Sequence, residues 1–538
     1  MAFFKFVIHY GGRLLYFTVG AGLLAGFGVS GIMAIIHRTL EGQNEEYQLI
    51  LLLFISLWLL YAIFCILSEL FLIRMAEKIA FQLKLGLSHQ IFKKELRTLE
   101  KIGPDRLLAV LVEDVGVITS FIREVPGIFI NSAVCLGCYG YMLWLSPPLF
   151  LFNLCFLFFT IAVYNMPAKM ARRYLAQARE IYDETIKQFR FLTDGLKELL
   201  IHRRKRQEFL NSHLHASNEE LMNRNIRAMS VFTTSKRLGE LLVLANLGFL
   251  LFLFSRLLEL EANILSGYIL ASLFAVSPLS SLSKNLAEWV RINVVLKKVQ
   301  SYGFDLFEAD PAENDSLPLP SKPNQGPDQL VLDDIKFDYG PELNGDRFVV
   351  GPLSLSLKSG ELTFLIGGNG SGKTTLAKLL CGLYAPVRGR IRWNNEVVDN
   401  TNRKLFQQHF SVIFSDFFLF KHLVGIDPKL IKEQASGYLK ALDLENKVAI
   451  RNAAFSSIDL SHGQRKRLAL MASCLENRPV YIFDEWAAGQ APAFKKTFYE
   501  EFLMNLKNMN KMVIVITHDE DYFPVADRLI KIDDGKIR

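Results

Sequence analysis

Six long apolar stretches precede residue 285, and they limit what this chain can fold into more than any other feature. They cover roughly 13–36, 48–73, 127–145, 148–164, 239–258 and 264–282, the last carrying a proline, Pro278, placed to bend it. A helix that crosses a bilayer needs about 20 apolar residues, and each stretch is close to that length. The first resembles a secretory signal in position only, because its apolar run is long, no A-x-A site follows and a second stretch comes soon after. Composition agrees. Hydrophobic residues make up 51% of the 538, charged residues 21%, and mean hydropathy is +0.22. That balance argues against a wholly soluble enzyme and against disorder.

The connections alternate between short and long, and charge follows the alternation. Residues 37–46 hold one basic and three acidic residues, and the turns at 146–147 and 259–263 are tiny. The stretch 74–125 holds nine Lys/Arg, and 166–238 holds fifteen, including His202-Arg203-Arg204-Lys205-Arg206. Basic residues stay on the cytoplasmic side, so both long loops and both chain ends are expected there. The basic run reads as a solvated or headgroup-facing face among membrane lipids. A net charge of +7 is too mild for a nucleic-acid partner, and none is expected. The long loops show apolar spacing of three and four with few breakers, so the spans continue inward as helices. The loops should turn near 99–106 and 189–197.

Six cysteines in a chain of this length do not form a disulfide scaffold. Cys135 and Cys138 form a C-x-x-C, but among apolar neighbours they read as packing residues. Inside the spans, Asn131, Asn153 and Asn246 are neutral and suited to hydrogen bonding between helices, and Glu69 to snorkelling.

Residues 303–328 are rich in Pro, Asp, Asn and Ser, and apolar periodicity stops there. The expected division is a membrane domain at 1–302, a linker at 303–328 and a second domain at 329–538. Within the second domain, residues 361–381 read ELTFLIGGNGSGKTTLAKLLC. A buried strand is followed by Gly367, Gly368, Asn369, Gly370, Ser371, Gly372, Lys373 and Thr374, which fit G-x-x-x-x-G-K-[ST], and then by a helix opening at Thr375. Glycines let backbone N–H groups converge on phosphate oxygens at a positive helix end. Lys373 would neutralise the β- and γ-phosphates of ATP, and the Thr374 hydroxyl would ligate Mg²⁺. A second strand, 480–483, ends in Asp484-Glu485. Asp484 suits the magnesium site and Glu485 suits activation of a water. A third strand, 512–517, ends in His518, placed to sense the γ-phosphate. Functional residues at the carboxyl ends of strands imply an α/β core with the ligand at that edge.

Leu460-Ser461-His462-Gly463-Gln464, 20 residues before Asp484, is similar to the signature of the ATP-binding cassette (ABC) proteins. Six spans followed by one cassette resemble an ABC exporter half-transporter over essentially the whole chain. The resemblance implies a multi-domain membrane protein, with an all-α six-helix transmembrane domain followed by an α/β P-loop cassette. It implies a homodimer in which two ATPs lie between one subunit's phosphate loop and the other's signature, and in which closure and hydrolysis drive alternating access. Tyr339 matches the aromatic that stacks on adenine. Ser461, Gly463 and Gln464 match the cap on the partner's γ-phosphate, Glu485 the catalytic carboxylate and His518 the switch histidine. The segments 99–106 and 189–197 fall where exporters place coupling helices.

The chain departs from the common pattern at several points. Ser415, followed by Asp416, stands where most cassettes have the loop glutamine; as a metal residue it can reach Mg²⁺ through water but is shorter than Gln. His462 replaces a glycine, Ala491 replaces an aspartate, and the acidic loop before the signature is missing from NKVAIRNAAFSSID. FSDFFLF, LSHGQRKRLAL and FDEWAA resemble the cyclic-peptide and siderophore-peptide exporters of Gram-negative bacteria, including the pyoverdine-precursor type. Gly489-Gln490-Ala491-Pro492 lacks the two aspartates usual there, which implies slower hydrolysis or altered communication between sites. The expected function is ATP-driven export of a peptide-like or amphipathic substrate across the bacterial inner membrane. A lipid or multidrug exporter, or a nucleotide-gated regulator with weak ATPase, stands as the alternative. About a dozen residues before the first span leave no room for a fused leader-peptide protease.

Overall fold

The computed structural model describes residues 2–40, 47–254, 256, 261–305, 328–340 and 348–538. The chain divides into two compact units, Met1–Gln90 with Asp105–Pro311, and Ile91–Pro104 with Ala312–Arg538. Most of the expected linker, 306–327, lies outside the described residues.

The first unit is helical. Among the described residues, five helices are long and apolar enough to cross a membrane, over Leu14–Leu40, Tyr47–Lys93, Pro104–Leu145, Arg203–Phe254 and Ala262–Leu282, and a shorter apolar helix covers Pro147–Val163. Most run far beyond the apolar stretch: the helix Tyr47–Lys93 has 47 residues and Pro147–Asp194 has 48. The helix Ala262–Ser301 passes through Pro278 without a break. Small residues set the close approach of the first helix to Val115–Leu145. A Cβ on Gly26 would lie 2.4 Å from that of Ala133, and one on Gly137 would lie 2.0 Å from Ser30 Oγ.

Several polar groups in the bundle are paired across helices. Asn246 Nδ2 donates to Asn153 Oδ1 at 3.0 Å, and Asn131 Nδ2 donates to Ser281 Oγ at 3.0 Å. Buried Tyr268 donates to the carbonyls of Met142 and Ser146. Cys135 and Cys138 are buried free thiols, Cys138 lying 3.9 Å from the Met33 sulfur. By contrast, the apolar side chains of the upper half of Tyr47–Lys93, such as Leu52 and Trp58, are exposed, as a lipid-facing surface requires.

Among its described residues the second unit contains two large sheets and a two-stranded hairpin, Ile450–Arg451 with Ala454–Phe455. The larger runs, in spatial order, Lys536–Ile537, Arg528–Asp533, Leu362–Ile366, Met512–Ile516, Val480–Asp484, Phe410–Ile413, and its inner strands are parallel. Those strands read as unbroken apolar runs because both faces are covered. A smaller antiparallel sheet joins Val349–Lys358, Gln329–Asp338, Arg388–Trp393 and Glu396–Val397.

The same unit includes the short helix Leu96–Ile102, which begins three residues before the predicted turn and ends at Gly103, whose φ is +84°. Its counterpart in the first unit is Leu196–Ile201, after Gly195. The predicted 189–197 is mostly still in the long helix.

Candidate functional site

Strand order brings the motif residues to one edge. Leu362–Ile366, Met512–Ile516, Val480–Asp484 and Phe410–Ile413 are consecutive neighbours, with Ile516 in register with both Leu365 and Asp484. Their carboxyl ends lead directly into Gly367, Thr517-His518, Glu485 and Phe414-Ser415. The ligand edge of a parallel sheet is where such residues can act on one molecule.

At the phosphate loop, Gly367 has φ +147°, and a Cβ there would strike the Ile532 carbonyl oxygen at 2.1 Å. Gly372 has φ +102° and caps the helix Lys373–Leu380, leaving that helix's first N–H groups open. Gly368, Asn369 and Gly370 form the outer turn, and Ser371 is buried. Lys373 is buried and donates to the Gly367 and Gly368 carbonyls at 2.9 and 2.8 Å, so its ammonium lies within the loop. Burial lowers its pKa, opposed by the nearby Glu485 and Asp484 carboxylates.

Thr374 Oγ1 donates to Asp484 Oδ2 at 2.9 Å. The other carboxylate oxygen, Asp484 Oδ1, is buried without a hydrogen-bond partner. A buried unpaired carboxylate oxygen beside a threonine hydroxyl fits a hard divalent cation with oxygen ligands. Burial raises the pKa of Asp484, against the Thr374 hydrogen bond. Ser415 follows the neighbouring strand and is exposed, and its backbone N–H lies near enough to Asp484 to favour the ionised form.

Glu485 adopts a left-handed backbone, φ +52°, and its N–H donates to the Ile516 carbonyl at 3.0 Å. Its Oε1 lies 3.4 Å from His518 Nε2. Thus Lys373, Thr374, Asp484, Glu485 and His518 converge as the sequence motifs anticipate.

The signature lies at the start of the helix His462–Glu476. Ser461 and Gln464 form a reciprocal capping box, with Gln464 N donating to Ser461 Oγ and Ser461 N to Gln464 Oε1. Among the described residues, no hydrogen bond joins Ser461, Gly463 or Gln464 to the phosphate loop of the same chain. Tyr339 donates to or accepts from Thr375 Oγ1 at 2.9 Å and packs edge-on to Tyr384.

Sequence reasoning missed the support around Tyr384. Its hydroxyl donates to Glu100 Oε2 at 2.5 Å, Lys378 Nζ lies 2.8 Å from Glu100 Oε1, and the Arg97 guanidinium sits over the Phe337 ring. Burial, the Glu100 carboxylate and the Tyr339 hydroxyl push the Tyr384 hydroxyl above its usual range. Nothing local in the sequence pairs positions 100, 378 and 384. Lys466 and Gln490, which bond the segment around Glu485, were missed for the same reason.

Comparison with known proteins matches residues 350–488 to the ABC transporter family and 14–277 to the ABC transporter transmembrane region. The chain is 32% identical to the ATP-binding protein SyrD of Pseudomonas syringae pv. syringae, covering 97% of this chain and 94% of that protein. It is 24% identical to the nisin transport ATP-binding protein NisT of Lactococcus lactis subsp. lactis, over 54% of this chain and 51% of that one. Its fold is similar to that of a bacterial Atm1-family ABC exporter solved with ATP bound. The TM-score is 0.74 at 14% identity, covering 97% of this chain and 92% of that one.

Proposed function

Because the chain belongs to the ABC transporters, with the family's membrane region and ATPase domain on one polypeptide, we propose that it is a homodimeric exporter. It moves a peptide-like or amphipathic molecule out of the cytoplasm, across the bacterial inner membrane, by alternating access. The observation that carries the reading is the alignment of Lys373, Thr374, Asp484, Glu485 and His518 along one sheet edge. The subfamily motifs FSDFFLF, LSHGQRKRLAL and FDEWAA support a peptide-like cargo, and a relative named for nisin transport points the same way.

In this reading the amides of Gly368, Asn369, Gly370, Ser371 and Gly372, with those of Lys373, Thr374 and Thr375, bind the phosphates of ATP. Lys373 exchanges the Gly367 and Gly368 carbonyls for phosphate oxygens. Tyr339 stacks on adenine. Thr374 and Asp484 would hold Mg²⁺, and Ser415 would help to hold it. The cation, when bound, neutralises charge developing on the phosphates. Glu485 takes the proton of the attacking water, and His518 holds the γ-phosphate. Ser461, Gly463 and Gln464 cap the γ-phosphate bound by the partner subunit. For Ser461 and Gln464 this means trading part of the capping box for phosphate contacts.

The test is Glu485→Gln in nanodiscs, with ATPase measured against a panel of cyclic peptides, lipopeptides, lipids and dyes. Loss of a general base lowers turnover on the order of 10²- to 10⁴-fold. Unchanged turnover would refute the catalytic assignment and favour the nucleotide-gated regulator, to which exposed Ser415 and the uncapped Ala491 lend weight. Stimulation by lipids or dyes alone would replace the peptide cargo.

A further inference from the structure

The turn that follows the strand Val480–Asp484 is bonded to the signature helix from several directions. Lys466, on the helix His462–Glu476, donates from Nζ to the carbonyl of Glu485 at 3.0 Å and to that of Ala488 at 2.9 Å. In return, Trp486 Nε1 donates to the Lys466 carbonyl at 2.9 Å. Trp486 is 2% exposed and stacks on Phe498 with centroids 4.3 Å apart, so this bond is fixed by packing. Further along, Gln490 Nε2 donates to the carbonyl of Gly463, inside the signature, at 3.0 Å.

Two features show that these bonds are more than incidental. Lys466 is only 5% exposed. Removing an ammonium from water is costly, so a buried lysine needs compensating partners. The two carbonyls, with Asp484 and Glu485 close by, supply them. Second, Glu485 is held at φ +52°, a conformation unfavourable for an L-residue that persists only where its surroundings impose it. The Lys466 ammonium grips the carbonyl of that residue, and its removal frees the turn to relax.

We propose that Lys466 is a positioning residue for hydrolysis. Together with Gln490 it makes the turn at 485–490 and the start of the signature helix one mechanical piece. Glu485 serves the ATP bound by its own chain, whereas the signature serves the ATP bound by the partner subunit. The piece therefore couples the two sites, a task in which Ala491 offers no carboxylate. This inference rests on the roles given above to Glu485 and the signature.

The test uses full-length protein in nanodiscs. ATPase kcat, KM and Hill coefficient are measured beside binding of a fluorescent ATP analogue. Lys466→Met should lower kcat roughly ten- to hundredfold, the cost of a displaced catalytic group, with KM and binding nearly unchanged. Lys466→Arg, which restores a donor, should recover most of the rate. Gln490→Leu should move the Hill coefficient towards 1. If Lys466→Met does not fold, Lys466→Leu, which likewise lacks a donor, is read in its place.

Wild-type kcat in the neutral variant overturns the positioning role. So does a parallel loss of nucleotide binding and thermal stability that arginine fails to rescue. A Hill coefficient of 1 in the wild type, or one unchanged in Gln490→Leu, overturns the coupling. Glu485→Gln separates the two levels. An active Glu485→Gln enzyme removes the underlying assignment. An inactive one beside a fully active Lys466→Met removes only this inference.

Discussion

Ala491 occupies the N-cap of the helix beginning Pro492–Lys496 and gives it no side-chain hydrogen bond. Its φ of −63° and ψ of 149° suit a capping aspartate and a residue before proline. Ala491→Asp should therefore stabilise the helix start by about 1 kcal/mol, raising the cassette's Tm by about 2–4 °C. If the missing carboxylate also slows communication between sites, steady-state ATPase rate or cooperativity rises as well. A higher Tm without either gain would confine Ala491 to a capping defect. No rise in Tm would contradict the cap. The residues of the phosphate loop were legible because each step of that motif does local work: glycine for backbone approach, lysine for charge, threonine for the cation. Lys466 was not legible. In the run Arg465-Lys466-Arg467 it looks like solvated charge, and only the fold buries it against the Glu485 carbonyl.

Among elements, the short helix Leu96–Ile102 shows how packing overrides local signals. The chain breaks at Lys94-Glu95, where no Gly or Pro marks it, and the helix is held in the cassette's unit by Glu100 on Lys378 and Tyr384 and by Glu95 on Arg403. Only its end, at Gly103 with φ +84°, could be read from composition. That explains why the turn was expected three residues too late. The half-exposed Glu100–Lys378 pair contributes about 0.2–1 kcal/mol, and the bond from buried Tyr384 about 0.5–1.5 kcal/mol more, so Glu100→Ala should destabilise the cassette only modestly. Its larger effect should appear in coupling. Glu100 joins the loop to the helix carrying Thr374 and Thr375 and, through Tyr384, to Tyr339. On the proposed role of Ser415, which is too short to replace a glutamine, this connection is expected to carry more of the signal. Glu100→Ala should keep basal ATPase within about twofold and cut stimulation by an activating peptide by roughly fivefold or more. Tyr384→Phe, which removes one of the two bonds, should fall between. Full stimulation in Glu100→Ala would rule out this route.

On the scale of the whole chain, the number of crossings decides which side the cassette faces. Among the described residues, five helices are long and apolar enough to span a membrane, while Pro147–Val163 is shorter. Length alone would leave that segment in doubt, yet its position decides the topology. If it spans, an even number of crossings returns the chain to its starting side, and the basic loops 74–125 and 166–238 share the cytoplasm with the cassette and its ATP. If it does not, 166–238 lies outside with its fifteen Lys/Arg, against the charge bias that orients membrane proteins. The flanks favour spanning. Pro147 and Pro148 start the helix, Asn153 finds a partner in Asn246 inside the bundle, and the helix runs on for 48 residues without needing a turn at the membrane. Cysteine labelling distinguishes the cases in a background lacking the six native cysteines. With six crossings, Gln43→Cys reacts with a membrane-impermeant maleimide in intact spheroplasts, and Ala216→Cys reacts only in inverted vesicles. Labelling of Ala216→Cys from outside would mean that Pro147–Val163 does not cross, and would place the loop preceding the fifth span on the side away from ATP.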